Sequence, residues 1–312
     1  MKPTHDSTRR RVLIAGAAAT ASLALPSISH ADAEDSALQT RRIPVSGEPL
    51  PIIGIGTAVI FDFENDAAKY DDRRRVIRTL VAGGGKLIDT AHSYGRAEDR
   101  VGELTADLGL RERLFLATKF SFSNSRAAAL ESMQNSLRRL KTTSVDLMQA
   151  WNVTDANYDL GLLREWKRQG LCRYTGMTIS QARSYEAIGK VLTREKPDFF
   201  QVNYSLGDRE AEARLLPAAR DAGAAVLINL PFGRNSLFKK SAGKPLPGFA
   251  AEIGVTSWAQ LFLKFILSHP AVTAVIPGTD TAEYMQDNLQ AGRGFMPDAA
   301  MRQRIIDYWE AL

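Results

Sequence analysis

A carboxylic acid, a phenol and an amine follow successive apolar runs of this sequence. Asp89 closes the run Lys86-Leu87-Ile88-Asp89, Tyr94 follows on the same segment, and Lys119 comes just after Leu114-Phe115-Leu116-Ala117. An ammonium–carboxylate pair beside a phenol stabilises the phenolate. It loosens the phenolic proton and makes tyrosine a usable general acid near neutral pH. Singly, each residue has an ordinary role: Asp89 as a cap, Lys119 as a solvated cation, Tyr94 as rim packing. Their shared place, at or just past the end of an apolar run, argues for a site. The next run, Val145-Asp146-Leu147-Met148, is followed by Gln149-Ala150-Trp151-Asn152.

Groups on separate runs meet at one mouth only if the runs lie side by side and parallel. Eight short apolar runs read as buried parallel strands, at 52–56, 86–89, 114–117, 145–148, 173–176, 199–202, 225–228 and 274–276. Amphipathic stretches separate them. In 129–140, Leu130, Met133, Leu137 and Leu140 fall on one helical face, with Glu131, Asn135, Arg138 and Arg139 opposite. Gly83-Gly84-Gly85 ends the first such helix. This rhythm predicts an α/β fold, a (β/α)8 TIM barrel whose active groups sit at the C-terminal strand ends. A doubly wound open sheet is the alternative, but Gly54-Ile55-Gly56 lacks the third glycine of a phosphate-binding turn. Arg42-Ile43-Pro44-Val45 and Leu50-Pro51-Ile52 around Ser46-Gly47 predict a short N-terminal hairpin plugging the barrel. The long last interval, holding 232–249, predicts a surface loop.

Composition narrows the function. Of 312 residues, 45% are hydrophobic and 24% charged, as in a globular chain with a sizeable core. One Cys and four His exclude a disulfide scaffold and a cysteine-rich zinc module, and no metal site is expected. Cys172 reads as core packing. The net charge is +5, and residues 1–33 carry +2 of it, from four basic and two acidic residues. The remaining bias is too mild to imply a nucleic-acid partner. Within 1–33, Arg9-Arg10-Arg11 precede an apolar, alanine-rich run ending in Ala31-Asp32-Ala33, an A-x-A cleavage pattern. The segment resembles a twin-arginine (Tat) export signal, too short to span a bilayer stably. It implies passage through the twin-arginine translocation machinery, a periplasmic or exported location, and a mature chain over 34–312.

A more specific resemblance rests on motifs. Leu87-Ile88-Asp89-Thr90-Ala91 with Tyr94-Gly95-Arg96-Ala97-Glu98, then Ala117-Thr118-Lys119, then Gly170-Leu171-Cys172-Arg173-Tyr174-Thr175-Gly176, resemble successive signatures of the aldo/keto reductase superfamily. Gln201-Val202-Asn203-Tyr204-Ser205 and Ile276-Pro277-Gly278-Thr279 with Asp287-Asn288 resemble its later ones. The likeness runs from about Arg42 to Leu312 and is nearest to bacterial members with export signals. It implies a (β/α)8 barrel that reduces a small-molecule carbonyl substrate with NADP(H), NAD(H) being the alternative cofactor. Carried over by position, Tyr94 is the general acid, tuned by Lys119 and Asp89. Thr178 and Gln201 hold the nicotinamide carboxamide, and Gly56 and Thr57 lie along its ribose. Leu230, Phe232 and Gly233 pass over the pyrophosphate. Pro277, Gly278, Thr279 and Asn288 meet the adenosine end.

The departures carry equal weight. Trp151 stands where the superfamily places a catalytic His. Indole donates one hydrogen bond and cannot accept or transfer a proton. Trp151 therefore either orients the carbonyl or fills the pocket, and His92 is the alternative donor. Ile179 stands where many members have a carboxamide-binding Asn, and Asn229 where many have an aromatic ring stacked on the nicotinamide. Gly278 and Tyr284 replace cations that often hold the 2′-phosphate, and Asp280 repels that phosphate if it faces inward. Phe61, Phe63, Trp151, Phe232 and Phe238 form either an apolar mouth or ordinary loop anchors. Two functions therefore stand: an NAD(P)H-dependent carbonyl reductase, or a catalytically weak nicotinamide-binding module or redox sensor.

Overall fold

The eight expected strands form one parallel sheet, and their nearly unbroken burial follows from covering on both faces. In the computed structural model, residues 37–121, 125–155, 157–181 and 184–312 are described, so the expected export signal at 1–33 lies outside them. A short antiparallel hairpin, β1 (Thr40–Arg42) and β2 (Pro49–Pro51), precedes the sheet. The sheet comprises β3 (Ile55–Gly56), β4 (Leu87–Asp89), β5 (Phe115–Phe120), β6 (Val145–Ala150), β7 (Cys172–Ile179), β8 (Phe199–Asn203), β9 (Ala225–Asn229) and β10 (Ala274–Val275), paired in that order. Parallel bridges Ile53–Val275 and Gly56–Gly278 join its two edges and close the barrel. A Cβ on Gly56 would lie 2.7 Å from the Ile276 carbonyl, so a side chain there would prise the seam open.

Strand periodicity then decides what enters the barrel. Leu87, Phe115, Ala117, Leu147, Tyr174, Phe199, Ala225, Leu227, Ala274 and Ile276 form an inner cluster, distinct from the larger one between sheet and helices. Two residues beyond members of that cluster, on the same faces, lie Asp89, Lys119, Gln149, Gln201 and Asn229. One alternation thus packs the lower barrel with apolar side chains and delivers polar ones to its upper end.

The hairpin closes the lower end, its Ile43 and Leu50 joining the inner cluster. It pairs two residues earlier on its first strand than expected, because Pro44 has no amide hydrogen to extend the ladder. Glu48 staples it down, accepting from Lys86 at 2.9 Å, from the Tyr174 hydroxyl at 2.8 Å and from Arg173. Burial alone would raise the Glu48 pKa, but these donors outweigh it and hold it below the ordinary carboxylate value. A depressed carboxylate stabilises the fold above its unfolded pKa of ~4.3 and loses that contribution as pH falls through the lower folded value. Glu48→Gln is therefore expected to lower stability at neutral pH and to flatten the loss of stability below about pH 4. Urea unfolding across pH 3–7 checks this.

The outer helices are α1 (Ala67–Ala82), α2 (Ala97–Asp107), α3 (Arg126–Arg139), α4 (Gly161–Arg168), α5 (Tyr185–Glu195), α6 (Leu215–Asp221), α7 (Ser236–Ser241), α8 (Trp258–Leu267), α9 (Ala282–Gln290) and α10 (Ala299–Ala311). Gly83 ends α1 as expected. Two details differ from the sequence reading. Leu130 is exposed, because α3 buries the stripe through Ala129, Met133, Ser136 and Leu137. The segment 232–249 is not all loop: α7 forms within it, burying Leu237 and packing Phe238 on Phe262. Cys172 is buried, as expected, and burial pushes its thiol up to about 12. Among the described residues no helix is long and apolar enough to cross a membrane, and no cluster of three or more His, Cys, Asp or Glu is placed to hold a metal.

Candidate active site

A cavity of about 820 Å³ opens where the sheet strands end. At its base the Lys119 ammonium, 1% exposed, donates to Asp89 Oδ2 at 2.5 Å and to the Thr90 carbonyl at 2.8 Å. The Tyr94 phenol stands beside it, its ring centroid 5.0 Å from Nζ. Burial alone would lower the lysine pKa, but Asp89 and Tyr94 outweigh it and the net shift is upward. The amine is therefore an ammonium across the physiological range. The other carboxylate oxygen of Asp89 accepts from Gln149 Nε2 at 3.1 Å. The phenol beside this ammonium lines the cavity, where its O–H can meet a bound group.

The turn after β4 aims the phenol. Tyr94 N–H donates to the Ala91 carbonyl at 3.1 Å, and Gly95 comes next at φ +54° against the Asp62 carboxylate. A Cβ at Gly95 would meet that carboxylate in a left-handed backbone, so glycine is favoured at this turn.

Of the expected site residues, Gly56, Thr57, Asp89, Tyr94, Lys119, Trp151, Thr178, Gln201, Leu230, Phe232 and Gly278 line this one cavity. Gly233, Pro277, Thr279 and Asn288 do not. Gly233 turns the backbone beside Phe232 at φ +55°. The Thr279 hydroxyl donates to the Pro277 carbonyl at 3.2 Å and accepts from Asn288 Nδ2 at 3.0 Å, in a buried knot next to Gly278. Asp280 and Tyr284 are also absent from the lining, Tyr284 standing exposed. Of the aromatic residues considered for the mouth, Trp151 and Phe232 line it. Phe61 and Phe63 are buried anchors, and Phe238 backs Phe232.

His92 does not supply a donor to the cavity. Its Nδ1 donates to the Lys119 carbonyl at 3.0 Å, its Nε2 accepts from Ser121 at 2.8 Å, and its ring meets Trp151 edge-on at 5.5 Å. Burial lowers its pKa, which favours the neutral ring this geometry needs. It braces the indole.

Several lining residues carry little or no signal in the sequence. Seven non-glycine residues among those described have positive φ, and five of them line the cavity: Val59, Asn152, Leu230, Arg234 and Asn235. Strain gathered at a cavity rim marks function. Asn tolerates this geometry and offers a weak sequence signal, but Val59 offers none. It is 81% exposed at φ +68°, the centre of a three-residue turn closed by Ile60 N–H to Ala58 C=O at 2.8 Å. Left-handed geometry costs roughly 1–2 kcal/mol, and the extra freedom of glycine offsets about half of that. Val59→Gly is expected to stabilise the fold by about 1 kcal/mol, a rise of roughly 2–4 °C in thermal midpoint, read by calorimetry.

Known proteins share this architecture. Residues 52–303 match the model of the aldo/keto reductase family. Methylglyoxal reductase YeaE of Escherichia coli K12 is 30% identical over 262 residues, covering 80% of this chain and 89% of that protein. An aldo-keto reductase from Klebsiella pneumoniae, solved in complex with NADPH, superposes with a TM-score of 0.73 at 24% identity, over 87% of this chain and 95% of that one. Aldo-keto reductase AKR11C1 from Bacillus halodurans, in its holo form, superposes with a TM-score of 0.69 at 24% identity, over 87% and 96%.

Proposed function

This chain belongs to the aldo/keto reductase family, and from that premise we propose that it reduces an aldehyde or ketone to the alcohol with NADP(H). The observation that carries this reading is the buried Lys119–Asp89 pair held against the Tyr94 phenol in an open cavity. NADPH, when bound, supplies a hydride to the carbonyl carbon. Three residues that line the cavity fit a ligand of that kind: Thr57 Oγ1, Gln201 Nε2 and Asn229 Oδ1 are buried and have no partner among the described residues. The NADPH in the similarly folded Klebsiella protein supports the choice of cofactor.

The residues divide the work. Thr178 and Gln201 would hold the nicotinamide carboxamide, with Gly56 and Thr57 along the ribose. Leu230, Phe232 and Gly233 would cover the diphosphate, and Arg234, which lines the same cavity, would add a cation there. Pro277, Gly278, Thr279 and Asn288 shape the adenosine end. Tyr94 passes its proton to the carbonyl oxygen while Lys119 stabilises the charge left on the phenol. Asp89 keeps the ammonium in place. Trp151 donates its indole N–H to the same oxygen, orienting it without moving a proton.

Trp151→Phe keeps an aromatic ring and deletes the donor. It is expected to lower kcat about tenfold, roughly one hydrogen bond, with cofactor affinity unchanged. An unchanged kcat makes Trp151 a wall only. Trp151 also favours the second reading, a nicotinamide-binding module with little turnover. NADPH oxidation over a panel of aliphatic and aromatic aldehydes and ketones separates the two. Turnover of at least one carbonyl supports the reductase, whereas tight NADPH binding with none turned over supports the module.

We also propose that residues 1–33 are a twin-arginine signal that carries the barrel, 34–312, to the periplasm. Fractionation of cells producing the chain with and without Arg9→Lys and Arg10→Lys tests this.

A further inference from the structure

The inward side chains of β9 are Ala225, Leu227 and, at the C-terminal end, Asn229. Asn229 lines the cavity, yet its Oδ1 is buried without a hydrogen-bond partner. On the neighbouring strand, Gln201 is 1% exposed, lines the same cavity, and leaves its Nε2 buried and unpartnered. Gln201 pairs with Leu227 and Asn203 with Asn229, so the two groups stand one inward step apart on adjacent strands. One is an acceptor and the other a donor. A buried polar group left unmatched costs roughly 1–3 kcal/mol, and two of opposite sense on residues that line one cavity call for a ligand group that offers both an N–H and a C=O. A primary carboxamide is such a group.

We propose that Asn229 is a cofactor-binding residue: its Oδ1 accepts from the amide N–H of the nicotinamide carboxamide, while Gln201 Nε2 donates to the carboxamide oxygen. The assignment rests on the proposed NADP(H) dependence and deepens it. Ile179 on β7, where the sequence resemblance implies an asparagine, is fully buried and apolar and has nothing to offer an amide. Asn229 occupies the place where that resemblance implies a stacking ring.

Calorimetric titration of the purified chain with NADP+ and with adenosine 2′,5′-bisphosphate, a probe that lacks the nicotinamide, tests this. Asn229→Ala and the near-isosteric Asn229→Leu are each expected to weaken NADP+ about tenfold while adenosine 2′,5′-bisphosphate stays within twofold. The second probe also reports that the variants are folded. Unchanged NADP+ affinity overturns the assignment, and so does an equal loss for both probes, which marks general damage. A parent protein that binds neither probe overturns the NADP(H) reading itself, and this assignment with it.

Discussion

Tyr94→Phe is expected to cut carbonyl turnover by about 10²–10⁴-fold, the usual worth of a positioned general acid, while cofactor affinity stays within twofold. The ring remains, so the wall of the cavity and its packing against the Lys119 ammonium persist. Only the O–H is lost. Lys119 keeps both of its hydrogen-bond partners, Asp89 and the Thr90 carbonyl, so the variant should fold. Steady-state kinetics on any carbonyl that the parent reduces, with a cofactor titration alongside, separates the proton's contribution from binding. A variant retaining a tenth or more of the parent kcat would remove Tyr94 from the chemistry.

Lys119→Met is expected to damage both stability and turnover. It leaves the Asp89 carboxylate, 2% exposed, with only the Gln149 amide for company. Removing one member of a buried ion pair costs about 3–5 kcal/mol, most of it from the stranded charge. Combining Lys119→Met with Asp89→Asn removes that charge and should recover most of the stability without recovering turnover, since the ammonium that supports the phenol stays absent. Denaturant unfolding of the single and double variants, beside their kcat, gives both readings. Equal stability of single and double variants would mean that the pair is not as dry as its burial indicates. The raised lysine pKa has its own signature. Its stabilising contribution is complete below the unfolded value of ~10.4 and fades only as pH climbs through the higher folded value.

Much of the barrel and its site is legible in the residues. Strands covered on both faces need unbroken apolar runs, so the eight runs announce a parallel sheet and their spacing a closed one. Asp89, Tyr94 and Lys119 are legible because the segments leaving the C-terminal strand ends build a barrel mouth. Other features turn on geometry that leaves no mark in residue type. Leu130 fits a helical stripe by spacing, yet the stripe that α3 buries runs through Ala129 instead. The short α7 hides in a polar, lysine-rich stretch because Leu237 and Phe238 are its only apolar residues. Val59 carries no hint of its left-handed turn, being β-branched. His92 fits a substitute donor by its place beside Tyr94, but the fold engages both of its ring nitrogens. The meaning of Asn229 depends on a hydrogen bond not made, which only the folded surroundings reveal.

The most direct test is a crystal structure of the chain with NADP+ bound. The nicotinamide is expected at the base of the cavity, its reactive face toward Tyr94, with the Tyr94 ring still packed beside Lys119 Nζ. A cofactor seated elsewhere, or a Tyr94 side chain turned away from that ammonium, would contradict the account.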